Sequence, residues 1–446
     1  MPYQAGQRLG GESASKLGHL DVLQSEFVNE VIREFEKPEI KDEDFSYSFW
    51  EDVSINVEPL KYIFAVDGSL QILKSTGIPK RELAFVKTAL LHLDPHIISQ
   101  IDPEYPHPNQ LRKVMTETAL YHATVFPLKN IRIKGSRFAE GLRKLIFDSY
   151  KDPTLDGEPY NTLKWLLYKK WDPSFRSNSP AFDCPECCEE QTGGLPYDAD
   201  IGICNSCGAQ LYVTDVLGLH LEMTEENAAE SLASAYMIIH ETMLLLTAVR
   251  FFWEKKNIKV LTNTLFLKDG PLTLRGQYAK LVPNIRDFIK YARNQRIIVH
   301  ICGQEKTGKF VDYLQGISKT INPHKNDDPP RYSILSHKFI REEIQRVRDS
   351  KNPYGYRTNY GEKVLVKQNP YHYIVLNIPT GEYLDNENKP NSVNDFIGIE
   401  RILVTIPQML SYRHECALIP IELVNGIASL SSYPSAKVLK LFAGLE

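Results

Sequence analysis

A buried strand that runs into Asp-Gly is the feature that most constrains this fold. Tyr62–Val66 is apolar and rich in β-branched and aromatic residues, which predicts a strand buried on both faces. Asp67 follows it, and Gly68-Ser69 would let the chain turn. Much later in the chain, Leu265–Leu267 leads through a lysine to Asp269-Gly270.

The two strands that end in Asp-Gly could form one site if they are neighbours in one sheet. Both carboxylates would then emerge at one edge, where their mutual repulsion favours a divalent cation between them. The alternative is a pair of unrelated turns, because Asp-Gly commonly follows a strand.

Composition limits the classes of protein to which the chain can belong. Its 446 residues predict more than one domain, or one domain with insertions. Lys and Arg number 52 against 56 Asp and Glu, so a nucleic-acid site would have to be a local positive patch. Residues 1–20 lack the apolar core of a signal peptide, and no uncharged apolar run reaches membrane-spanning length. With cysteines arranged in pairs, these features predict a cytoplasmic protein.

Strands alternate with helices after an initial run of strands, which predicts an α/β fold with a mixed sheet. The predicted strands cover 62–66, 70–73, 82–93, 260–267, 296–302, 363–367 and 372–378. The predicted helices cover 21–36, 110–121, 136–150, 225–256, 281–293, 337–350, 392–412 and 434–443. The first helix has Leu23, Phe27, Val31 and Phe35 at helical spacing, so we expect it to dock on the core or on a second subunit.

Four cysteines form the clearest motif. Cys184, Cys187, Cys204 and Cys207 follow a C-x2-C-x16-C-x2-C spacing, in which each pair offers two thiolates to one tetrahedral ion. The spacing falls in the zinc-ribbon range, and four cysteine ligands leave no open position, so a structural zinc is predicted. The alternative is a set of unrelated free thiols. A ribbon can also touch DNA or a protein partner, and the pattern does not distinguish these.

A third acidic residue is expected from the helix at 225–256. Glu241 shares a face with Met237, Leu244 and Leu245, where an unpaired carboxylate is costly. It is therefore either a functional carboxylate or the partner of a buried cation. Glu254 on the same helix precedes two lysines and is typical of a solvated pair.

The segment Gly303–Phe310 imitates a phosphate-binding P-loop, but Phe310 stands where Ser or Thr must bind magnesium. A nucleotide triphosphatase is therefore the weakest of the functional hypotheses. Lys306 could instead meet a nucleic-acid phosphate or the scissile group, whereas Lys309 is expected to be a solvated lysine.

These residues resemble the NurA nucleases, which have an RNase H-like core. The resemblance covers the chain from about residue 60 to its end and is carried by Ala65–Ser69, the helix with Glu241, Leu267–Leu272, Gly303–Phe310 and Ala417–Ile421. It implies an α/β fold with an RNase H-like mixed sheet flanked by helices. The helical and zinc-ribbon segment is not a general family feature and is expected to be an insertion in that core.

The resemblance also implies a function. It implies a DNA nuclease that uses Mn²⁺ or Mg²⁺, forms a homodimer and works with a HerA-type hexameric ATPase in DNA-end processing or phage defence. Asp67, Glu241 and Asp269 would then bind the catalytic ions, which activate water and stabilise the leaving oxygen, with Lys306 beside them. The family glutamate usually lies nearer the second aspartate, so the choice between Glu241 and Glu254 stays open.

The chain departs from the family pattern near its C-terminus. Many members place a histidine after the proline there, whereas Pro420–Ala428 offers Asn425, and His414 does not match in position. An amide cannot transfer a proton at neutral pH, so the alternative function is a catalytically weak or inactive subunit that binds DNA or the ATPase.

The predicted domain organisation follows from these features. Residues 1–60 form an N-terminal arm and helix, and 61–100 form the first part of the nuclease core. An insertion spans 101–224 with the zinc ribbon at 180–213, and 225–446 completes the core.

Overall fold

The computed structural model describes residues 22, 25–35, 50–54, 56–93, 119–320, 325, 328–347, 353–384, 389–411, 416–430 and 435–445. The chain divides into two compact units, Met1–Ser48 and Phe49–Glu446. The first unit contains helix α1, Glu26–Glu34, where the Ser25 hydroxyl accepts a hydrogen bond from the backbone N–H of Val28. The amphipathic helix predicted over 21–36 is therefore present, although Leu23 lies outside the described residues.

The strands of the second unit build one large sheet and two small ribbons. They are β1 (Glu51–Asp52), β2 (Tyr62–Lys74), β3 (Glu82–Leu93), β4 (Ala119–Lys129), β5 (Phe182–Asp183), β6 (Glu190–Gln191), β7 (Ile201–Ile203), β8 (Gln210–Tyr212), β9 (Thr264–Asp269), β10 (His300–Glu305), β11 (Arg331–Ile334), β12 (Glu362–Lys367) and β13 (Tyr373–Ile378).

Helices flank the sheet. They are α2 (Phe138–Tyr150), α3 (Glu158–Leu167), α4 (Glu230–Glu254), α5 (Ile258–Leu261), α6 (Val282–Asn294), α7 (Lys309–Thr320), α8 (His337–Phe339), α9 (Ile399–Thr405), α10 (Ile419–Ala428) and α11 (Ser435–Phe442). A π-helical turn covers Ile340–Gln345, and short 3₁₀ segments cover Pro153–Leu155, Val213–Leu217, Leu219–Glu222, Gly276–Leu281, Val393–Asp395 and Ile406–Met409.

The large sheet has nine strands in the order β1-β11-β12-β13-β10-β9-β2-β3-β4. Strands β2, β3 and β4 form an antiparallel meander, and β9 and β10 add in parallel on the other side of β2. This arrangement of a meander followed by parallel strands is the RNase H-like mixed sheet that the resemblance implied. The prediction of a mixed α/β sheet flanked by helices is confirmed.

The central strands are buried on both faces, which explains the apolar runs Tyr62–Val66 and Leu265–Leu267. Val66, Phe266 and Ile301 pack on one face with α2, α3, α4 and α6. Ala65, Leu267 and the neighbouring strand residues pack on the other face with α9 and α10. Successive side chains of β2 and β9 point to opposite faces of the sheet, so the position of each functional residue in its strand determines which helices it contacts.

Three predictions about local structure were wrong. The predicted turn at Gly68-Ser69 does not occur, since β2 continues through it and Gly68 pairs with Thr88 of β3. Residues 119–121 belong to β4 rather than to a helix, and the remainder of that predicted helix, 110–118, lies outside the described residues. The strand predicted over 260–267 begins only at Thr264, because Ile258–Leu261 forms a helical turn capped by the Asn257 side chain.

Candidate functional site

Asp67 lies in the interior of β2, at the point where β9 ends beside it. The last parallel pair between these strands joins Val66 to Lys268, so the register places Asp67 level with Asp269. The Asp67 carboxylate is 5% exposed and accepts a hydrogen bond from the Gly68 N–H at 2.7 Å. Its second oxygen accepts one from Asn425 Nδ2 of α10, also at 2.7 Å. The predicted meeting of the two Asp-Gly motifs is thus a consequence of strand register.

Asp269 is the last residue of β9. Gly270 follows with φ at +82°, so here the glycine does make the turn that the sequence predicted. Lys306 comes just after β10, and its Nζ lies 2.8 Å from Asp269 Oδ2. The structure therefore brings the predicted lysine to the second aspartate.

Glu241 reaches the same place from α4. It is 4% exposed, and its carboxylate lies against Gly68, where an added Cβ would be 2.4 Å from Glu241 Oε1. Its other oxygen accepts a hydrogen bond from Lys268 Nζ at 2.6 Å. Glu241 is thus the partner of a buried lysine, as one of the two interpretations from sequence predicted, and it also lines the cleft with Asp67 and Asp269.

The sequence did not lead us to predict a role for Lys268. This lysine is 3% exposed and contacts both Glu241 and Asp269. The signal was available, because a lysine inside an otherwise apolar strand needs an anionic partner. Glu254, the other candidate on α4, is exposed, and His240 is buried with its Nδ1 2.8 Å from Thr88 Oγ1. His414 lies outside the described residues.

Helix α4 has a second property that bears on its setting. It is long and apolar enough to cross a membrane by length and composition, yet 78% of its most apolar stretch is buried inside the protein. A core helix explains both observations, and its burial is what removes Glu241 from water.

The carboxylates repel one another electrostatically. Burial, and after it the charges of Asp269 and Glu241, raise the pKa of Asp67 to about 7, although Asn425 and Lys306 oppose the rise. Burial also raises the pKa of Glu241, with Asp269 adding to the rise and Lys268 opposing it. The ionised form of Asp67 is therefore destabilised, and the hydrogen bond from Asn425 offsets only part of this cost.

These groups line an open cleft of about 540 Å³ at the edge of the sheet. Oxygen ligands are those that Mg²⁺ and Mn²⁺ prefer, and a dication would relieve the repulsion that raises the pKa of Asp67, so the donor set fits such an ion. Lys268 and Lys306 supply the positive charge next to Glu241 and Asp269.

The four predicted cysteines converge in the segment that carries β5 to β8. Their sulfur atoms all lie within 4.8 Å of one another, and they are the one such group of potential ligands found in the described part of the chain. The Sγ atoms of Cys184 and Cys207 are 3.7 Å apart, as are those of Cys187 and Cys204. Backbone N–H groups of Cys207 and Ser206 help to lower the pKa of Cys204 to about 6, although burial opposes them.

The cysteine cluster has the features of a closed metal site. Gly208 has φ at +74°, which completes the second turn without a Cβ penalty. Cys188 is exposed and lies outside the group of four. Four sulfur ligands fit a tetrahedral zinc with no open coordination position.

Comparison with known proteins gives matches of fold only. No family profile and no curated relative matches the sequence. The NurA nuclease from Sulfolobus solfataricus aligns over 96% of this chain and 95% of its own, with 8% identity and a TM-score of 0.36. NurA bound to dAMP and manganese aligns over 98% of both chains, with 11% identity and a TM-score of 0.32. A manganese-bound NurA aligns over 96% and 95%, with 10% identity and a TM-score of 0.27.

Proposed function

We propose that the chain is a metal-dependent DNA nuclease that hydrolyses phosphodiester bonds. One observation carries the proposal: Asp67, Glu241 and Asp269, from three separate elements, line one open cleft together with Lys306. Buried carboxylates that crowd one another in this way disfavour the metal-free protein, so they need a binding role to explain them. Two of the solved NurA structures to which the chain is similar contain manganese, and one of them also contains dAMP.

Each residue would have a distinct task. Asp67 and Asp269 would hold Mn²⁺ or Mg²⁺ at the cleft, with Glu241 beside them, and the bound ion would supply a Lewis acid and an activated water. The Asn425 amide holds Asp67 in one orientation through its 2.7 Å hydrogen bond. Lys306 Nζ, which now contacts Asp269, would turn to a phosphate oxygen of the bound strand.

The test is cleavage of labelled linear single- and double-stranded DNA with manganese, magnesium or EDTA. We expect manganese-dependent cutting that is lost in Asp67→Asn and Asp269→Asn, which keep the shape of each side chain. Glu241→Gln should also lose cutting, whereas Glu254→Gln is its matched control, because that residue lies on the same helix but is exposed. Cutting that survives both aspartate substitutions would reject this site.

A second candidate function is a DNA-binding or ATPase-docking subunit without cleavage. Two observations favour it: Lys268 and Lys306 already pair with Glu241 and Asp269, and an amide contacts Asp67 where many NurA proteins have a histidine. Wild-type protein that binds DNA but never cuts it, with manganese and a cognate ATPase present, would support this candidate.

The remaining proposals rest on the resemblance to NurA proteins. We propose a homodimer that acts in the cytoplasm with a HerA-type hexameric ATPase, in DNA-end processing or phage defence. Co-purification with such an ATPase, and the mass of the isolated protein in solution, test the two partnerships separately. Independently of that resemblance, the geometry of the cysteine cluster supports a structural Zn²⁺, which metal analysis of the purified protein would show.

A further inference from the structure

A second cavity of about 660 Å³ lies directly beside the carboxylate cleft. The two share four lining residues: Pro271, Thr273, Arg275 and Glu305. The two cavities therefore adjoin one another along these four residues. None of the roles proposed above uses this space.

The second cavity is lined by more cations than anions. Arg275, Lys309 and Lys363 face it, against Glu305. Lys363 already has partners within the protein, because its Nζ forms an ion pair with the Glu305 carboxylate and donates a hydrogen bond to Asn377 Oδ1 at 2.8 Å. Glu305 is thus neutralised from within the protein, and the charge of the other two cations is left for a ligand.

Arg275 and Lys309 have no ion pair among the described residues. Both side chains are exposed, and the Lys309 amine makes only a long contact of 3.4 Å to the backbone carbonyl of Gln345. Arg275 is common to both cavities, so its guanidinium stands where they join. A guanidinium binds a phosphate through two parallel hydrogen bonds, and an ammonium adds a point charge.

The polar wall of the cavity is fixed in place. The side-chain oxygen Oδ1 of Asn359 accepts hydrogen bonds from the hydroxyls of Thr273 and Thr358, at 3.1 and 3.0 Å. Arg286 in turn donates to the backbone carbonyls of Gly355, Tyr356 and Asn359. This part of the cavity lining is therefore held by hydrogen bonds within the protein, so the two cations line a preformed space.

We propose that this second cavity binds a phosphate of the DNA strand that flanks the scissile phosphodiester, through Arg275 and Lys309. The inference rests on the proposed nuclease function and names a second subsite for its substrate. Such a contact would set the register of the strand in the cleft without reading its sequence. It also gives Lys309, within the segment that imitates a P-loop, a phosphate-binding role that does not require a nucleoside triphosphate.

The test measures binding of a fluorescent single strand of about 20 nucleotides by anisotropy across a range of salt concentrations. Manganese and magnesium are left out, and a denaturing gel confirms that the probe stays intact. Lys309→Gln and Arg275→Gln should each raise the Kd about tenfold and reduce the slope of log affinity against log salt by about one. Lys255→Gln is the matched control, because it removes an exposed lysine that lines neither cavity.

The ends of the probe distinguish the sources of the phosphate. If the variants lose the same affinity for probes with and without a terminal phosphate, the cavity binds an internal phosphate. If they lose affinity only for phosphorylated probes, it binds the phosphate at the strand end. Both results support the proposal. Free dAMP is also tested as a competitor of the labelled strand. If the substitutions weaken this competition but leave the Kd of the strand unchanged, the proposal is overturned. The proposal is also overturned if both variants keep the wild-type Kd and the wild-type slope of log affinity against log salt. If the wild-type protein cuts DNA in that case, the proposed nuclease function still stands.

Discussion

The carboxylate cleft and the cysteine cluster are built in opposite ways. The cysteines come from two short knuckles close together in sequence, and their sulfur atoms already lie within 4.8 Å of one another. The carboxylates come from a strand, a helix and the end of a second strand, and they line a space open to solvent. The first site has its full set of ligands, whereas the second leaves room for a substrate.

This difference indicates what each site contributes. A closed four-sulfur site stabilises the segment that contains it and has no position for a reactant. The cleft does the reverse, because burial and like charges raise the pKa of Asp67 to about 7 and destabilise the ionised form. On the proposed function, one region uses a metal to hold the fold, and the other gives up stability to hold a metal and a substrate.

The largest expected effect comes from removing an aspartate of the cleft. Asp269→Asn should lower the rate of DNA cleavage by about a thousandfold or more, because it removes an anionic ligand of the ion that stabilises the transition state. Zinc content and thermal unfolding should stay close to wild type. A variant that also loses zinc would show that the two regions are not separable.

Loss of a cysteine should give the converse result. Cys184→Ser should release zinc and lower the free energy of unfolding by more than about 4 kcal/mol, because Cys184 is buried and metal loss exposes three further thiols. Metal analysis and denaturant unfolding measure both. Cys188→Ser, at the exposed neighbouring thiol outside the group of four, should retain zinc and stability.

The buried pair between Lys268 and Glu241 gives the next largest effect. Lys268→Met should lower the free energy of unfolding by about 3–5 kcal/mol, because it leaves the Glu241 carboxylate buried without its cation. The double variant Lys268→Met with Glu241→Gln should recover much of that loss. Equal unfolding curves for the single and double variants would show that this carboxylate is not the source of the cost.

The raised pKa of Asp67 makes stability depend on pH in a defined direction. The folded protein binds a proton at Asp67 up to about pH 7, whereas the unfolded chain releases it near the ordinary carboxyl pKa of 3.8. Stability of the metal-free protein should therefore fall as pH rises from about 4 to about 7. At pH 8, Asp67→Asn should be more stable than wild type by about 1–4 kcal/mol. Asp312→Asn, on an exposed position of α7, should show no such gain.

The smallest effect is expected at Asn425. Asn425→Ala removes a hydrogen bond that lowers the pKa of Asp67, so the midpoint of the pH profile for cleavage should move up by about one unit. Cleavage near neutral pH should fall several-fold and recover at higher pH. A loss that is equal at all pH values would instead indicate a role in positioning alone.

Local patterns in the sequence predicted more than long-range ones. The cysteine cluster was predictable in full, because its spacing alone sets its geometry. The alternation of strands and helices predicted the fold class, and the apolar stripe on α4 identified Glu241 as buried. Lys306 was correctly placed near the cleft, since it follows directly on a strand that runs parallel to β9.

The two Asp-Gly pairs show where sequence reasoning failed. Gly270 adopts a positive φ and turns, as predicted. Gly68 remains extended within β2 and is required because Glu241 and Met237 of α4 pack where its side chain would be. The same dipeptide therefore serves two purposes, and only the packing of a helix from elsewhere in the chain separates them. Lys268 and the hydrogen bond from Asn425 to Asp67 depend on the same kind of distant contact.

Direct measurement of bound Mn²⁺ tests the central claim. Electron paramagnetic resonance titrations would compare zinc-loaded wild type with Asp67→Asn, Asp269→Asn and the folded fraction of Cys184→Ser. The account predicts that wild type and Cys184→Ser bind Mn²⁺, and that both aspartate variants lose that binding while retaining zinc. Unchanged Mn²⁺ binding in the two aspartate variants would contradict it.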